Sequence, residues 1–444
     1  MVNNHREDDL ISSAEQVPWY PSPHAAQSRH VMVIGAGIAG ASVARSLAER
    51  GFVVQVLERQ ERVAQGASGN PAGIILPVLS RTDNALSRLT QLGMAYATQR
   101  MSALMQQDAR VDWQPSGVLR LARNQNHAAQ QEKIAAQQQF PVDFARMVDT
   151  AEGSSLVGVK VEQPGWWFAG GGSVCPPALV NALLQHERID LCTECDVRHL
   201  CREAGEWVVL DAQGNELARA ESVVLANAHE ALKLLPDIYA QALPLAAIRG
   251  QISLAAQSPE KDWSGLHAVA CREGYVIPAR AGVVCFGASF AHAAEGFNPT
   301  EDEHLGNIER LQAIFPQAAS LSTAQLGGRV SYRCATPDRM PMLGPLHDAV
   351  SFRERFARLH LGGTAQRYAA ADVLPGLWLN LGHGARGLAW AGILGETLAC
   401  MMSGETPPLP QDLIHALHPA RFDYRLMRTA PLHRKAWVVG ADEG

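Results

Sequence analysis

Near its N-terminus the chain runs from an apolar strand through Gly35-x-Gly37-x-x-Gly40 into a helix and a second strand, a succession that few folds accommodate. Val31 to Ile34 reads as the first strand. Gly35 permits the tight turn that follows, Gly37 lets backbone approach a pyrophosphate, and Gly40 lets the helix lie against the strand. Ile38, Ala41, Ala44, Leu47 and Ala48 recur at helical spacing. Gly51 ends the helix, and Phe52 to Leu57 forms a second strand closed by Glu58. The helix N-terminus faces the phosphates with partial positive charge, and the Glu58 carboxylate stands where a ribose hydroxyl pair is held. A glycine-rich turn alone would need none of these flanking elements, so the whole unit points to a bound dinucleotide.

The C-terminal stretch PGLWLNLGHGARGLAWAGILGETLACMM repeats that logic. A strand, Leu377 to Leu381, enters Gly382-His383-Gly384-Ala385-Arg386-Gly387, and a helix from Leu388 to Met402 buries Leu388, Ala391, Leu394, Leu398 and Met401. A second helix N-terminus thus points from the same sheet toward the ligand. Nicotinamide enzymes rarely need such a closing motif. A flavin does, because its reduced ring carries negative charge that a helix dipole and backbone amides stabilise. The paired motifs therefore select FAD over NAD.

At 444 residues the chain exceeds one simple core, and two domains are expected. Its 47% hydrophobic and 18% charged residues suit an ordinary soluble globular protein. A net charge of −6 gives no global attraction to nucleic acid, so such a partner needs a local basic patch. The polar, acidic start MVNNHREDDL lacks the basic and apolar regions of a signal peptide. No stretch reaches about 18 uninterrupted apolar residues, since Arg45, Glu49 and Arg50 break the best one. A cytoplasmic protein without membrane contact is expected. Among eight cysteines, Cys192-x-x-Cys195 looks like half a zinc knuckle. IDLCTECDV reads as a strand, however, and alternation puts the two cysteines on opposite faces, so reduced thiols and no metal are expected.

Residues 1–29 read as a disordered or loosely packed lead-in ending in PWYPSP. GASGNPAGIILPVLS (66–80) is a small-residue loop whose amides can meet a flat ligand closely. The region 84–160, rich in Gln and Ala, reads as mostly helical, and Pro177 opens a further helix. A strand over 189–197 precedes a hairpin with its turn at Gln213 to Asn215 and the buried strand Ser222 to Ala226. From 246 to 335, IRGQISL, EGYVIPA and GVVCFGAS suggest an antiparallel sheet. The fold class is α/β, a Rossmann-like FAD-binding domain with a second, antiparallel-sheet substrate domain. The FAD-binding domain is assigned to 31–112, 167–242 and 334–412, the substrate domain to 113–166 and 243–333, and a basic tail to 413–444. In that tail Arg421, Arg425, Arg428, Arg434 and Lys435 interleave with Phe422, Tyr424 and Trp437, which suits either phosphates and unstacked bases or plain solvation.

The motifs GAGIAG, GASGNPAGIILP, RCATPDRMPMLGP (333–345) and LGHGARG, in this order and spacing, resemble FAD-dependent oxidoreductases of the D-amino acid oxidase and glycine oxidase type. More narrowly, GASGNPAG, the VPWYP lead-in and the insertion between Pro345 and Leu377 are similar to the oxidoreductase half of the bacterial 5-methylaminomethyl-2-thiouridine-forming tRNA enzymes, over roughly residues 17 to 425. The fuller form of that family carries an upstream methyltransferase, for which the 29 residues before the first strand are too few. A standalone enzyme, or one half working with a separate methyltransferase domain or protein, is expected. Motif and resemblance together assign to FAD Gly35, Ala36, Gly37, Ile38, Ala39, Gly40, Glu58, Arg59, Gly66, Ala67, Ser68, Gly69, Asn70, Gly73, Val197, Gly382, His383, Gly384, Arg386, Gly387 and Leu388. Ala226-Asn227-Ala228 lacks the glycine of the related oxidases and is left unassigned.

The resemblance implies oxidation of 5-carboxymethylaminomethyl-2-thiouridine at the tRNA wobble position, releasing glyoxylate and leaving the 5-aminomethyl nucleoside. The alternative is oxidation of free glycine, sarcosine or a D-amino acid. Either substrate presents a carboxylate. Arg333 is the first choice to grip it, as a guanidinium fork beside the CATPDRMPMLG turn, with Arg329 in reserve. Tyr275 closes the pocket or donates to the carboxylate, unless it is a core tyrosine. His383 accepts a proton or bonds the flavin carbonyl, the latter preferred, and Arg249 is expected to line the pocket.

Overall fold

Val31, Met32, Val33 and Ile34 are all buried, as a strand covered on both faces requires. In the computed structural model, which describes residues 19–21, 25–26, 28–107, 110–257, 263–291, 296–318, 321–362, 369–434 and 437, the strand His30–Ile34 lies inside a six-stranded sheet. The strand order is Met342–His347, Val373–Leu381, Ser222–Leu225, His30–Ile34, Val53–Leu57, Ile189–Cys192. All neighbours are parallel except the first pair. The carboxyl ends Ile34, Leu57, Leu225 and Leu381 consequently meet at one end of the sheet, the end at which open parallel sheets bind ligands. Two helices follow directly from such ends. Ile38–Ala48 and Gly387–Ser403 are buried along most of their length and pack against each other, which brings both glycine turns to one place.

The second sheet has eight strands in the order Gly327–Ala335, Ala246–Ala256, Val283–Gly287, Tyr275–Arg280, Val269–Cys271, Val118–Leu121, Gly165–Phe168, Arg146–Val148. Its pairs are antiparallel apart from Val269–Cys271 beside Val118–Leu121. The α/β class with an antiparallel partner sheet therefore stands. The strand Gly165–Phe168 crosses the expected boundary between 166 and 167 but belongs to this second sheet.

Four expectations need correction. The region 84–160 holds the helices Ala85–Gln106, Gln125–Gln138 and Thr150–Val157, yet between them lie strands, of which Val118–Leu121 is interior to the sheet. Four residues are too few to outweigh the helical composition around them. The lead-in is not loose at its end: Trp19 is 2% exposed, with its ring 5.4 Å from Tyr424 and 5.8 Å from His418. The cysteine pair is bonded, Cys192 to Cys195. The strand stops at Cys192, and Glu194 takes a left-handed backbone (φ 57°), so period-two alternation no longer applies and the chain turns one sulfur onto the other.

The tail is the fourth correction. It forms the helices Gln411–Leu417 and Arg421–Arg428, and Phe422 and Asp423 are fully buried. Arg421 Nε lies 2.9 Å and Arg425 Nη1 2.7 Å from Asp338 Oδ2, so these two cations hold the segment onto the fold instead of presenting charge to solvent. Arg434 donates to the Thr429 carbonyl (3.1 Å), while Lys435 lies outside the described residues. Among the described residues no helix is long and apolar enough to cross a membrane.

Burial alone would raise the Asp338 carboxyl, but Arg421 and Arg425 outweigh it and hold its pKa at about 2. Removing the carboxylate leaves a buried guanidinium without its counter-charge. Asp338→Ala is expected to lower unfolding stability by roughly 3 kcal/mol. Urea denaturation followed by tryptophan fluorescence checks this, and a loss below about 1 kcal/mol, as for an exposed pair, would contradict it.

Candidate functional site

Between the two sheets lies a cavity of about 750 Å³ whose wall contains both glycine motifs, the 64–78 loop and part of the second sheet. Gly35 (φ +102°) turns the chain beneath it, and a Cβ at Gly40 would stand 1.9 Å from the Gly35 carbonyl oxygen, so the helix sits against the turn only because position 40 is bare. Glu58 Oε2 accepts the Ala36 N–H (2.9 Å) and Oε1 the Gln60 N–H (3.0 Å), which fixes the carboxylate at the strand end. Ser68 Oγ accepts the Ile38 N–H (2.9 Å) and ties the small-residue loop to the helix N-terminus.

Of the residues assigned to FAD, Gly35, Gly37, Ile38, Ala39, Glu58, Arg59, Gly66, Ala67, Ser68, Asn70, Gly73, Val197, Gly382, His383, Gly384, Arg386, Gly387 and Leu388 line the cavity. Ala36, Gly40 and Gly69 stand behind its wall. Ala36 serves through its backbone, and Gly69 makes room for Arg329, whose Nη2 a Cβ there would meet at 2.2 Å. Ala226, Asn227 and Ala228, left unassigned, also line the cavity: the strand Ser222–Leu225 ends beside Ile34, and Ala228 takes a φ of 59° without a glycine.

The arginines divide. Arg333 lines the cavity with Tyr275 and His383. Its guanidinium lies 4.2 Å from the Phe290 ring centroid, donates to the Ser289 carbonyl (3.2 Å), and fits over Gly250, where a Cβ would come within 1.9 Å of it. Arg329 is not available as a reserve: it donates to the Gln65 and Gly66 carbonyls (2.7 and 2.6 Å) and to Asn70 Oδ1 (2.9 Å), clamping the loop to the second sheet. Arg249 does not line the cavity. It is 2% exposed, paired with Glu303, and donates to the Gly296 and Asn298 carbonyls, so it anchors the 296–303 segment. Sequence position alone could not separate these three, because a long guanidinium goes wherever tertiary partners take it. The cavity also holds Arg120, which sequence analysis missed.

The electrostatics leave the ionisable wall groups in defined states. Burial, partly offset by the bond to Asn380, holds the His383 pKa at about 4, so the ring is neutral near pH 7. Asn380 Nδ2 donates to the Ala39 carbonyl (3.1 Å), which turns Oδ1 toward His383 Nε2 (2.9 Å). Nε2 must then carry the hydrogen, and Nδ1 remains a buried acceptor without a partner among the described residues. Asn227 Oδ1 and His229 Nδ1, in residues that also line the cavity, are likewise buried and unpartnered. Burial pushes the Tyr275 phenol well above its ordinary value, with Arg333 pulling back part of the rise. A long cavity with bare glycine turns at two helix N-termini, a fixed carboxylate and orphaned polar atoms fits a flavin dinucleotide.

The chain belongs to the FAD dependent oxidoreductase family, whose model matches residues 30–401, and FAD is its cofactor. The tRNA 5-methylaminomethyl-2-thiouridine biosynthesis bifunctional protein MnmC of Pseudomonas fluorescens is 37% identical over 424 residues, 94% of this chain and 63% of that protein. The protein of the same name from Pseudomonas putida is 40% identical over 418 residues, 92% of this chain and 62% of that one. The chain thus spans less than two thirds of these relatives. Among solved structures, glycine oxidase from Bacillus cereus superposes with a TM-score of 0.68 at 20% identity, covering 87% of this chain and 97% of that chain. Iminodiacetate oxidase from Chelativorans gives 0.68 at 21%, covering 86% and 97%.

Gly37→Val is expected to abolish FAD retention by filling the approach to the pyrophosphate, while circular dichroism of the purified variant stays near that of wild type. Normal FAD absorbance in that variant would move the phosphates elsewhere. Since the folded His383 refuses a proton that the unfolded chain takes up below its ordinary pKa of 6.5, stability should fall as pH drops from 6.5 toward 4. The melting temperature of His383→Gln should fall less across that window than that of wild type.

Proposed function

We propose that this chain oxidises the carboxymethyl group of 5-carboxymethylaminomethyl-(2-thio)uridine at the tRNA wobble position, giving glyoxylate and 5-aminomethyl-(2-thio)uridine. The similarity to the two pseudomonad proteins over more than nine-tenths of the chain carries this reading. The partners are tRNA and, upstream or as a separate protein, a methyltransferase; a tRNA substrate implies the cytoplasm.

FAD, when bound, supplies a two-electron acceptor for a hydrogen of the substrate CH–NH unit. Gly35 to Gly40, Glu58, Arg59, the 66–73 loop and Val197 would hold its adenosine and pyrophosphate, and Gly382 to Leu388 its ring. Arg333 grips the substrate carboxylate through its planar fork, and the Phe290 ring beneath and the Ser289 carbonyl beside it fix that fork before substrate arrives. Tyr275, held neutral by burial, donates its hydroxyl to the same carboxylate. His383, neutral and with its Nε2 hydrogen given to Asn380, can only accept at Nδ1, so it would orient the cofactor by accepting a hydrogen bond and not, as expected, by donating to a flavin carbonyl, and it is not a strong base. No strong base is required when the secondary amine binds unprotonated. Loss of two hydrogens across the C–N bond gives a C=N group, and water adds to it to release glyoxylate and the amine.

Purified holoenzyme with tRNA carrying the carboxymethylaminomethyl group should release one glyoxylate per modified nucleoside consumed. Glycine, sarcosine and D-alanine should react far more slowly. Rapid turnover of these with none on tRNA would make the chain a free amino acid oxidase. Arg333→Ala should lower kcat/KM for the modified tRNA by about 10- to 100-fold, the worth of a charge-assisted contact of roughly 1.5 to 3 kcal/mol, at unchanged FAD content. Arg333→Lys should recover only part. Normal turnover by Arg333→Ala would remove it as the anchor.

A further inference from the structure

Arg120 sits in the strand Val118–Leu121, directly opposite Cys271, which is itself opposite Tyr275 in the next strand. Opposite partners in adjacent strands share one face, so Arg120, Cys271 and Tyr275 form a row across the sheet, and all three line the cavity. Strands lie about 4.8 Å apart, which puts the Arg120 side chain within reach of the space beside the Tyr275 ring. Cys271 is a buried thiol whose pKa is pushed up to about 12, and Tyr275 is neutral as well, so the row contains no counter-charge.

Among the described residues no carboxylate is paired with Arg120. The charged groups near it are Arg123 and Arg386, both cationic, and burial lowers its own pKa. No ion pair or hydrogen bond to its guanidinium is present among the described residues. Three of the cavity's acidic residues are engaged elsewhere, Glu58 with the Ala36 and Gln60 amides, Glu230 with Lys233, and Asp196 with Arg198, and the fourth, Glu273, forms no ion pair with Arg120 among the described residues. The buried arginines Arg249 and Arg421 are each paired with a carboxylate, whereas half-buried Arg120 is not. A guanidinium that faces a cavity with no carboxylate paired to it is set for an anion that arrives with the ligand.

We propose that Arg120 is a second anion-recognition residue of this cavity, binding the substrate carboxylate together with Arg333 from the other side of Tyr275. The proposal rests on the reading that the substrate presents a carboxylate here. Two guanidinium groups and a phenol converging on one carboxylate exclude neutral amines and reject the substrate ester or amide, because each would leave a desolvated cation unpaired.

The test is acetate titration of the oxidised holoenzyme, read by perturbation of the flavin absorbance and free of any need for tRNA. Arg120→Gln should weaken acetate binding about 10-fold or more, as loss of one charge-assisted contact, with FAD content and melting temperature unchanged. Arg120→Lys, which keeps the charge, should recover part of it and guards against a variant that fails to fold. With modified tRNA the Gln variant should raise KM more than it lowers kcat. Unchanged acetate affinity in Arg120→Gln would overturn the proposal. So would a fall in flavin midpoint potential with unchanged acetate affinity, which would make Arg120 a partner of the reduced ring. An effect seen with inorganic phosphate and not with acetate would assign it to a nucleotide phosphate and overturn the carboxylate role. Inactivity of the wild type on modified tRNA, with Arg120-dependent acetate binding intact, would sink the tRNA reading and leave the anion site standing.

Discussion

The parallel run of Ser222–Leu225, His30–Ile34 and Val53–Leu57, extended by Val373–Leu381, is the constraint on which the rest depends. Parallel strands end together, so their carboxyl ends deliver two separate chain segments, 35–40 and 382–387, 347 residues apart, to one edge. The two helices that leave that edge pack against each other, and each contributes an N-terminus whose free N–H groups favour negative charge. Had either connection been antiparallel, one dipole would point the wrong way. The cofactor cradle is thus a property of topology before it is one of side chains.

The second sheet supplies what the first cannot. A Rossmann-like edge binds a dinucleotide but has few side chains to spare for a substrate, because its strands are buried on both faces. The antiparallel sheet has a free face toward the cavity, and strand register decides which residues appear on it. Arg333 and the Arg120 row owe their place to that register, and Gly250 owes its bareness to the Arg333 side chain that passes over it. Arg329 joins the two parts: its guanidinium takes two carbonyls and a side-chain oxygen of the 65–70 loop, which otherwise has no strand of its own to hold it. The loop that faces the cofactor is therefore positioned by a cation from the substrate side.

Both glycine units were legible in the sequence because their signals are local: turn, helix period and strand lie within some thirty contiguous residues. Three kinds of feature were not. Short strands such as Val118–Leu121 sit between longer helical segments and carry no period of their own, so the residue they place in the cavity, Arg120, stayed hidden. Arginine destinations depend on distant partners, as Arg249 with Glu303 and Arg421 with Asp338 illustrate. The tail looked like a basic, aromatic surface because its acidic partner lies 83 residues earlier. Charge clustering in sequence describes a surface only when no buried carboxylate claims it.

That last point bears on how a tRNA would be held. With Arg421 and Arg425 bound to Asp338, the phosphate contacts expected of the tail reduce, among the described residues, to Arg428 and Arg434, of which Arg434 already donates to Thr429. Neutralising the whole group would then measure mainly the loss of a structural ion pair, and a weaker salt dependence could not be separated from unfolding. The cavity wall also carries Arg59, Arg198, Lys233 and Arg272, but Arg59 and Lys233 pair with Glu230, Arg198 pairs with Asp196, and Arg272 donates to the Ala313 and Arg123 carbonyls. Their number is small, and a net charge of −6 adds no long-range attraction. Recognition of the nucleoside would then rest on the interior of the cavity more than on a broad phosphate-binding face, which places the weight of specificity on the groups that meet the carboxylate.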